Sequence, residues 1–387
     1  MANEDKATRY HRLQRRAAIA STVSSAALLI LLVVSGVSAV IRDAVISVTG
    51  QSFFVLVASY VIAVVMLNEV IQLPLSFYQG ATLERRYGLS TESTARWWMN
   101  HLKALALSLL FAIAGALIVA ALLRSAPRYW WLISAGCFVL ILVVLAQLAP
   151  ILLLPIFYEF KPLDRPGLVA RLIALAERAG ARVMGVFEWK LSDRTKKANA
   201  ALTGIGRTRR ILLSDTLLAE HSDEEIEVIL AHELAHHVYR DIWSGLALET
   251  VLIVAGFYLA DRVLDAFANS FGLVGKADVA ALPLLILTAG AVSLALLPLF
   301  NALSRAHERR ADRYALEMTR NVTAFVSAMK RLGAQNLAEE RPSRVVEVLF
   351  YTHPPINARI AAAQAWAATL DGRQLPAPIH QPPTTIR

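Results

Sequence analysis

The chain has 387 residues, of which 56% are hydrophobic, and its formal net charge is +9. Its mean hydropathy of +0.49 is too high for an ordinary soluble protein of this length. The single cysteine, Cys137, excludes an internal disulfide and a cysteine-based metal site. Because no basic patch is interleaved with aromatic residues, we expect no nucleic-acid partner.

Apolar segments long enough to cross a bilayer, about 20 residues each, dominate the chain. The first is too long for the apolar core of a signal peptide, so we interpret it as a retained membrane anchor. Basic residues cluster before the first segment, between the second and third, and after the sixth, which the positive-inside rule assigns to the cytoplasm. The predicted spans are residues 17–41, 53–73, 102–123, 129–154, 242–263 and 279–303.

These spans predict a mainly α fold: a polytopic helical membrane protein of about six spans with a small α+β domain on the cytoplasmic side. Hydrophobic periodicity in the first polar block predicts a helix at 168–179 and strands at 182–191, 199–203 and 210–214. The predicted blocks are a four-span membrane block at 1–154, an α+β block at 155–241, a two-span hairpin at 242–303, a helical block at 304–375 and a Pro-rich, disordered tail at 376–387.

The most informative motif is an HExxH sequence at 232–236, inside a predicted helix at 223–240 that begins with a capping box, Ser222 and Glu225. Residues four apart share a helix face, so His232 and His236 can bind one metal ion. Zinc accepts imidazole nitrogen, and a catalytic zinc site needs three protein ligands and one open position. We therefore expect one Zn²⁺ per chain, with Glu233 taking the proton of an activated water.

A third ligand must come from elsewhere in the chain, and the helical segment after the sixth span offers one. Glu308 and Asp312 are four apart and share a face, so Glu308 can bind the metal while Asp312 accepts a hydrogen bond from a ligand histidine. His307 is a rival ligand, although it points about 100° away from Glu308. A charged helix solvated outside the membrane would show the same pattern.

With these residues in view, the chain resembles the type I CAAX prenyl proteases, a family of integral-membrane zinc endopeptidases. Several short motifs occur in the family's order, which is more specific than any one of them. The matching segments are LPLSFY at 73–78, ERRYGLS at 84–90, PIF at 155–157, FKPL at 160–163, NA at 199–200, RILLSDTLL at 210–218, HELAH at 232–236, Arg305 with Glu308, Ala311 and Asp312, and YTHPP at 351–355 with Arg359.

The resemblance implies zinc ligands His232, His236 and Glu308, with Glu233 as the base. It further implies that His353 and Arg359 face the site and stabilise an oxyanion, and that Asn199 and Ala200 hold the substrate backbone. By itself, His353 favours a capped turn before two prolines, because a lone His-Pro-Pro sequence carries little chemistry.

The chain departs from the family's eukaryotic members, which have seven spans, so we expect the closed intramembrane chamber of that fold to be built differently here or to be open on one side. The expected function is a membrane zinc endopeptidase acting on peptides or membrane proteins at a lipid bilayer, in the inner membrane of a bacterium with the site facing the cytoplasm. The alternatives are a quality-control protease similar to the HtpX heat-shock proteases, and a transporter or scaffold with a dead site.

Overall fold

The protein is described by a computed structural model that covers residues 5–204 and 208–371, with side chains described as far as residue 369. The predicted tail at 376–387 and some of the turn that follows the second predicted strand lie outside the described residues. Within the described ranges, long helices dominate and one small sheet is present, so the predicted fold class is confirmed.

The membrane region consists mainly of long apolar helices. Lipid offers no hydrogen-bond partners, so the backbone N–H and C=O groups of these segments pair within each helix. Six of them are long and apolar enough to cross a bilayer. The helices of this region are α1 (Lys6–Val34), α2 (Val37–Thr49), α3 (Phe53–Phe77), α4 (Glu84–Arg86), α5 (Thr94–Ser125), α6 (Trp130–Leu152), α7 (Leu154–Phe157), α11 (Asp241–Phe267) and α12 (Leu282–Thr319).

The six long helices form a closed ring. In chain order, α1 packs against α3, α3 against α5, α5 against α6, α6 against α11, α11 against α12, and α12 returns to α1. An apolar cavity of about 400 Å³ lies inside, between α3, α5, α6, α11 and α12. Each span therefore contacts the next one around the bundle, and the expectation that the chamber is built differently or is open on one side stays a prediction.

The first predicted span, 17–41, is wrong at its C-terminal end. The helix stops at Val34, and Gly36 adopts a left-handed conformation (φ 75°) from which α2 starts in a new direction. The hydropathy pattern does not reveal this break because both sides of it are apolar. At 13 residues, or about 20 Å, α2 is too short to cross the bilayer.

Polar side chains between the spans link neighbouring helices. Gln72 on α3 hydrogen-bonds to Ser21 and Ser25 on α1, and Asn68 accepts a hydrogen bond from Ser25. Glu69 on α3 lies 2.6 Å from a ring nitrogen of His101 on α5. In lipid an unpaired polar group is costly, so these contacts hold the ring in one arrangement.

The polar segments form one compact unit at one end of the ring, here called the sheet end. Its four-stranded sheet has the order β1-β2-β4-β3, in which β2 and β4 are parallel and the outer pairs are antiparallel. The strands are β1 (Phe160–Pro162), β2 (Gly185–Trp189), β3 (Ala200–Thr203) and β4 (Arg210–Ser214), and the helices are α8 (Pro166–Arg178), α9 (Asp215–Glu220), α10 (Asp223–Val238), α13 (Val322–Gln335), α14 (Arg344–Phe350) and α15 (Ile356–Asp371).

The core of this unit lies between the sheet, α8, α10 and α13, where Leu172, Ile211, Leu230 and Phe325 are fully buried. The predicted division into blocks stays a prediction. The helix α12 runs without a break across the boundary at 303/304, so the last span and the helix after it are one continuous helix.

We predict that Gly36→Ala lowers the stability of the protein, because a Cβ at positive φ costs about 1–2 kcal/mol. A methyl group there would meet nothing closer than 3.6 Å, so the cost would come from the backbone alone. Gly290→Ala is the matched control: it lies inside α12 with open space around it, and we expect it to be stabilising by about 0.5–1 kcal/mol. Thermal melting in detergent should move in opposite directions for the two variants.

Candidate metal centre

The helix α10 carries the HExxH motif and is well specified at its start. The Ser222 hydroxyl accepts the Glu225 N–H, and the Glu225 carboxylate accepts the Ser222 N–H, so the predicted capping box is present. The helix is buried between the sheet and α12. His232 and His236 project from one face of it, with ring centroids 5.0 Å apart.

The third candidate ligand comes from α12, which packs along α10. One carboxylate oxygen of Glu308 lies 3.3 Å from His232 Nε2, and the other lies 3.4 Å from His236 Nε2. The ligand atoms of the three residues all lie within 4.8 Å of one another. The structure thus brings together the three residues that the sequence singled out as metal ligands.

The donor set fits a divalent cation. Glu308 is only 5% exposed, and its Oε2 atom has no hydrogen-bond partner among the described residues. A buried carboxylate oxygen without a donor is costly, and a cation between Glu308 and the two imidazoles removes that cost. Two imidazole nitrogens and one carboxylate are a usual set of protein ligands for a catalytic zinc ion.

Each ligand histidine has a carboxylate at its remote ring nitrogen. Asp312 lies 3.0 Å from His232 Nδ1, as the sequence predicted. Asp241, the first residue of α11, lies 2.9 Å from His236 Nδ1 and is itself held by Arg310. Such partners fix which nitrogen of an imidazole faces a metal.

Asp241 is the site residue that sequence reasoning missed. The sequence offered one signal, an acidic residue five positions after the second histidine. The turn at Arg240 (φ 56°) directs the Asp241 side chain back towards the His236 imidazole. His307, the rival ligand, lies 3.1 Å from the hydroxyl of Ser244 and takes no part in the three-residue cluster.

The protonation equilibria of the α10 side chains reflect this crowding. Burial lowers the pKa of His232, but its contacts with Asp312 and Glu308 outweigh burial and raise the pKa to about 9. The pKa of His236 is also raised, since hydrogen bonds to Glu308 and Asp241 outweigh burial. Burial raises the pKa of Glu233, although the neighbouring histidines oppose it. The cluster therefore holds protons where a metal cation would bind.

His353 and Arg359 lie at the same centre. His353 Nε2 is 3.3 Å from Glu308, and its side chain is 59% exposed. Arg359 is 9% exposed and donates two hydrogen bonds to Asp312. The guanidinium also lies 3.9 Å from Glu308. Both side chains were selected from the sequence by resemblance alone, and the fold brings them together from α15 and the loop before it.

A cavity of about 350 Å³ runs beside the centre. It is lined by Glu233, His353 and Arg359 on one side and by Asn199 and Ala200 on the other. Asn199 directly precedes β3 and Ala200 is its first residue. β3 pairs only with β4 among the described strands and is therefore an edge strand. The cavity thus joins the centre to a free sheet edge.

Comparisons with known proteins agree with this architecture. The family model of peptidase family M48 matches residues 162–367, and the model of the CAAX prenyl protease N-terminal region with five membrane helices matches residues 2–159. The uncharacterized metalloprotease YhfN of Bacillus subtilis is 32% identical over 341 residues, covering 87% of this chain and 80% of that protein. CAAX prenyl protease 1 of Saccharomyces cerevisiae is 27% identical over 318 residues, covering 76% and 69%.

The crystal structure of S. mikatae Ste24p shares the fold, with a TM-score of 0.84 at 21% identity over 92% of this chain and 88% of that one. The N-terminal match favours the prenyl-protease type over the heat-shock type, and the expected family is confirmed. The chain therefore belongs to peptidase family M48 and is a multi-pass membrane metalloprotease similar to the CAAX prenyl proteases.

Proposed function

We propose that the protein is a zinc endopeptidase in which His232, His236 and Glu308 hold one Zn²⁺ per chain. The observation that carries this proposal is the buried Glu308 carboxylate, which faces two imidazole nitrogens and keeps one oxygen without a donor. Asp312 and Asp241 contact the Nδ1 atoms of His232 and His236, so the Nε2 atom of each imidazole faces Glu308.

A zinc ion bound there supplies a Lewis acid that polarises a carbonyl group and lowers the pKa of water. Glu233 accepts the proton of the attacking water and passes it to the leaving amine. Burial raises the pKa of Glu233, and a general base works best when its pKa lies near the operating pH. Glu233 lines the cavity beside Ala200, where a peptide bond would lie.

His353 and Arg359 act on the charge that develops on the peptide carbonyl oxygen. His353 is exposed to the cavity and carries a hydrogen bond to Thr352 at its other nitrogen, so its Nε2 faces the centre. Arg359 is fixed by Asp312 and brings a permanent positive charge to the same wall. Preorganised donors of this kind stabilise an oxyanion without reorganisation.

The substrate is an extended peptide that adds a strand to β3. In an antiparallel ladder the backbone groups alternate in direction. Asn199 C=O accepts the N–H of Ser214 on β4, so Ala201 also faces β4 while Ala200 and Leu202 face the free edge. Backbone pairing at that edge binds a peptide with little demand on its side chains.

The proposed location is the inner membrane of a bacterium, with the centre on the cytoplasmic side. The basic residues that predicted this orientation lie at the sheet end, where Arg15, Arg96 and Arg310 contact Glu339, Asp193 and Asp241. The positive-inside rule places such an end in the cytoplasm. Peptides and membrane-protein segments that reach the bilayer surface are the proposed substrates.

We predict that Glu233→Gln lowers kcat by about 10²–10⁴-fold, since the base is lost while the three ligands remain. Bound metal, measured by elemental analysis of the purified protein, should stay at one ion per chain. Wild-type turnover in this variant would contradict the role given to Glu233.

We predict that Glu308→Ala weakens metal binding by more than about 100-fold, beyond what loss of an outer partner costs. His307→Ala is the matched control from the adjacent position, and its metal content should equal that of the wild type because His307 hydrogen-bonds to Ser244 and is not one of the three clustered ligands. Metal loss in the His307 variant alone would move the third ligand by one residue.

We predict that Ala200→Pro lowers kcat/KM for peptides by about tenfold, the effect of losing one backbone hydrogen bond to the substrate. Ala201→Pro is the matched control: it removes an N–H that faces β4, so it should lower the melting temperature instead. Metal content and folding should be normal in the Ala200 variant. Equal kinetics of this variant and the wild type would exclude substrate binding at this edge.

A further inference from the structure

The free edge that carries Ala200 is closed at one end by a side chain. Asn336, directly after α13, accepts the N–H of Ala198 through Oδ1 at 2.9 Å and donates to the Ala198 carbonyl through Nδ2 at 3.4 Å. A neighbouring strand would make the same pair of contacts with a residue at a sheet edge. The Asn336 amide therefore takes the place of a peptide group beside β3.

Residues 335–339, here called the wall, lie beside the cavity and are held by contacts from several sides. Gln335 donates to the carbonyls of Lys196 and Thr216, which fixes the end of α13 against the chain that leads into β3. The carbonyl of Leu337 lies 2.9 Å from a ring nitrogen of His11 on α1. These contacts tie the wall to both the sheet and the first membrane helix.

A second set of contacts fixes the far side of the same wall. Glu339 is 5% exposed, forms an ion pair with Arg15 on α1, and accepts a hydrogen bond from the Tyr351 hydroxyl. His11, Asn336, Glu339 and Tyr351 all line the cavity that contains Glu233. The cavity is therefore bounded at this end by side chains that are already paired.

We propose that Asn336 ends the substrate-binding edge and thereby sets the register of cleavage. This inference rests on the proposed strand addition at β3. The first edge position open to a peptide is Ala200, and the position blocked by Asn336 is Ala198, two residues or about 7 Å away. On that side of the scissile bond only a few residues fit, while the other side follows β3 towards Thr203.

The protein therefore tolerates few substrate residues on one side of the scissile bond and more on the other. Substrate residues that extend past Ala198 find no backbone partner on the sheet edge, and they meet the wall, whose side chains are already hydrogen-bonded. A peptide that is longer on this side must leave the sheet edge to avoid Asn336, and so it gives up pairing at Ala200. Peptides lengthened on the open side bind without this loss.

The test uses the full-length, metal-loaded protein in detergent and two series of synthetic peptides around one cleavage site. One series adds residues on the N-terminal side and the other on the C-terminal side, and product masses give the bond that is cut. In one series we expect kcat/KM to fall by about tenfold, or about 1.4 kcal/mol, beyond a threshold length. In the other series kcat/KM should stay level. Equal tolerance of both series would overturn the proposal.

Asn336→Ala should reduce that tenfold penalty or add a cut displaced by two residues, because Ala198 becomes free to pair with substrate. Gln335→Ala is the matched control, since it removes contacts of the same wall without freeing the edge. A penalty that is unchanged in a folded Asn336 variant contradicts the role of Asn336. If that variant does not fold, the length series of the wild type still decides the matter, and absence of all peptide hydrolysis would instead refute the proposed function.

Discussion

The rest of the centre depends on the Glu308 carboxylate, which is buried and has no hydrogen-bond donor for one of its oxygens. Its neighbours are two imidazoles, so the electrostatic balance of the centre depends on what lies between them. A metal cation satisfies all three groups at once, whereas protons can satisfy them only incompletely. The outer carboxylates Asp312 and Asp241 extend the same balance, since each orients one imidazole.

The membrane ring decides where this carboxylate stands. The helix α12 is 38 residues long and continues from the apolar ring to the centre, so the same helix forms the last span and carries Glu308. Lower on the same face, Asn301 and Arg305 bind the carbonyls of Val348 and Tyr351 and so hold the loop that leads to His353. The positions of Glu308 and of the loop that carries His353 thus depend on one helix of the ring.

The sheet contributes the other half of the site, and it does so with an unpaired edge. Exposed strand edges invite unwanted pairing, and proteins usually cover or shorten them. Here β3 is only four residues long, and the Asn336 amide covers the backbone just before it. The edge of β3 that remains open adjoins the cavity that Glu233 lines, and it is the edge proposed above for the substrate.

The sequence by itself determined the features that follow from local pattern: the apolar spans, the capped HExxH helix, the helical spacing of Glu308 and Asp312, and three of the four strands. These depend on periodicity and composition, which act over a few residues. Only the tertiary structure decided the break at Gly36, the closure of the ring with six spans, the contact of Asp241 with His236, and the pairing of Asn336 with Ala198. Each of these joins residues through a backbone turn or across distant segments, and hydropathy carries no information about where two helices or a helix and a strand meet.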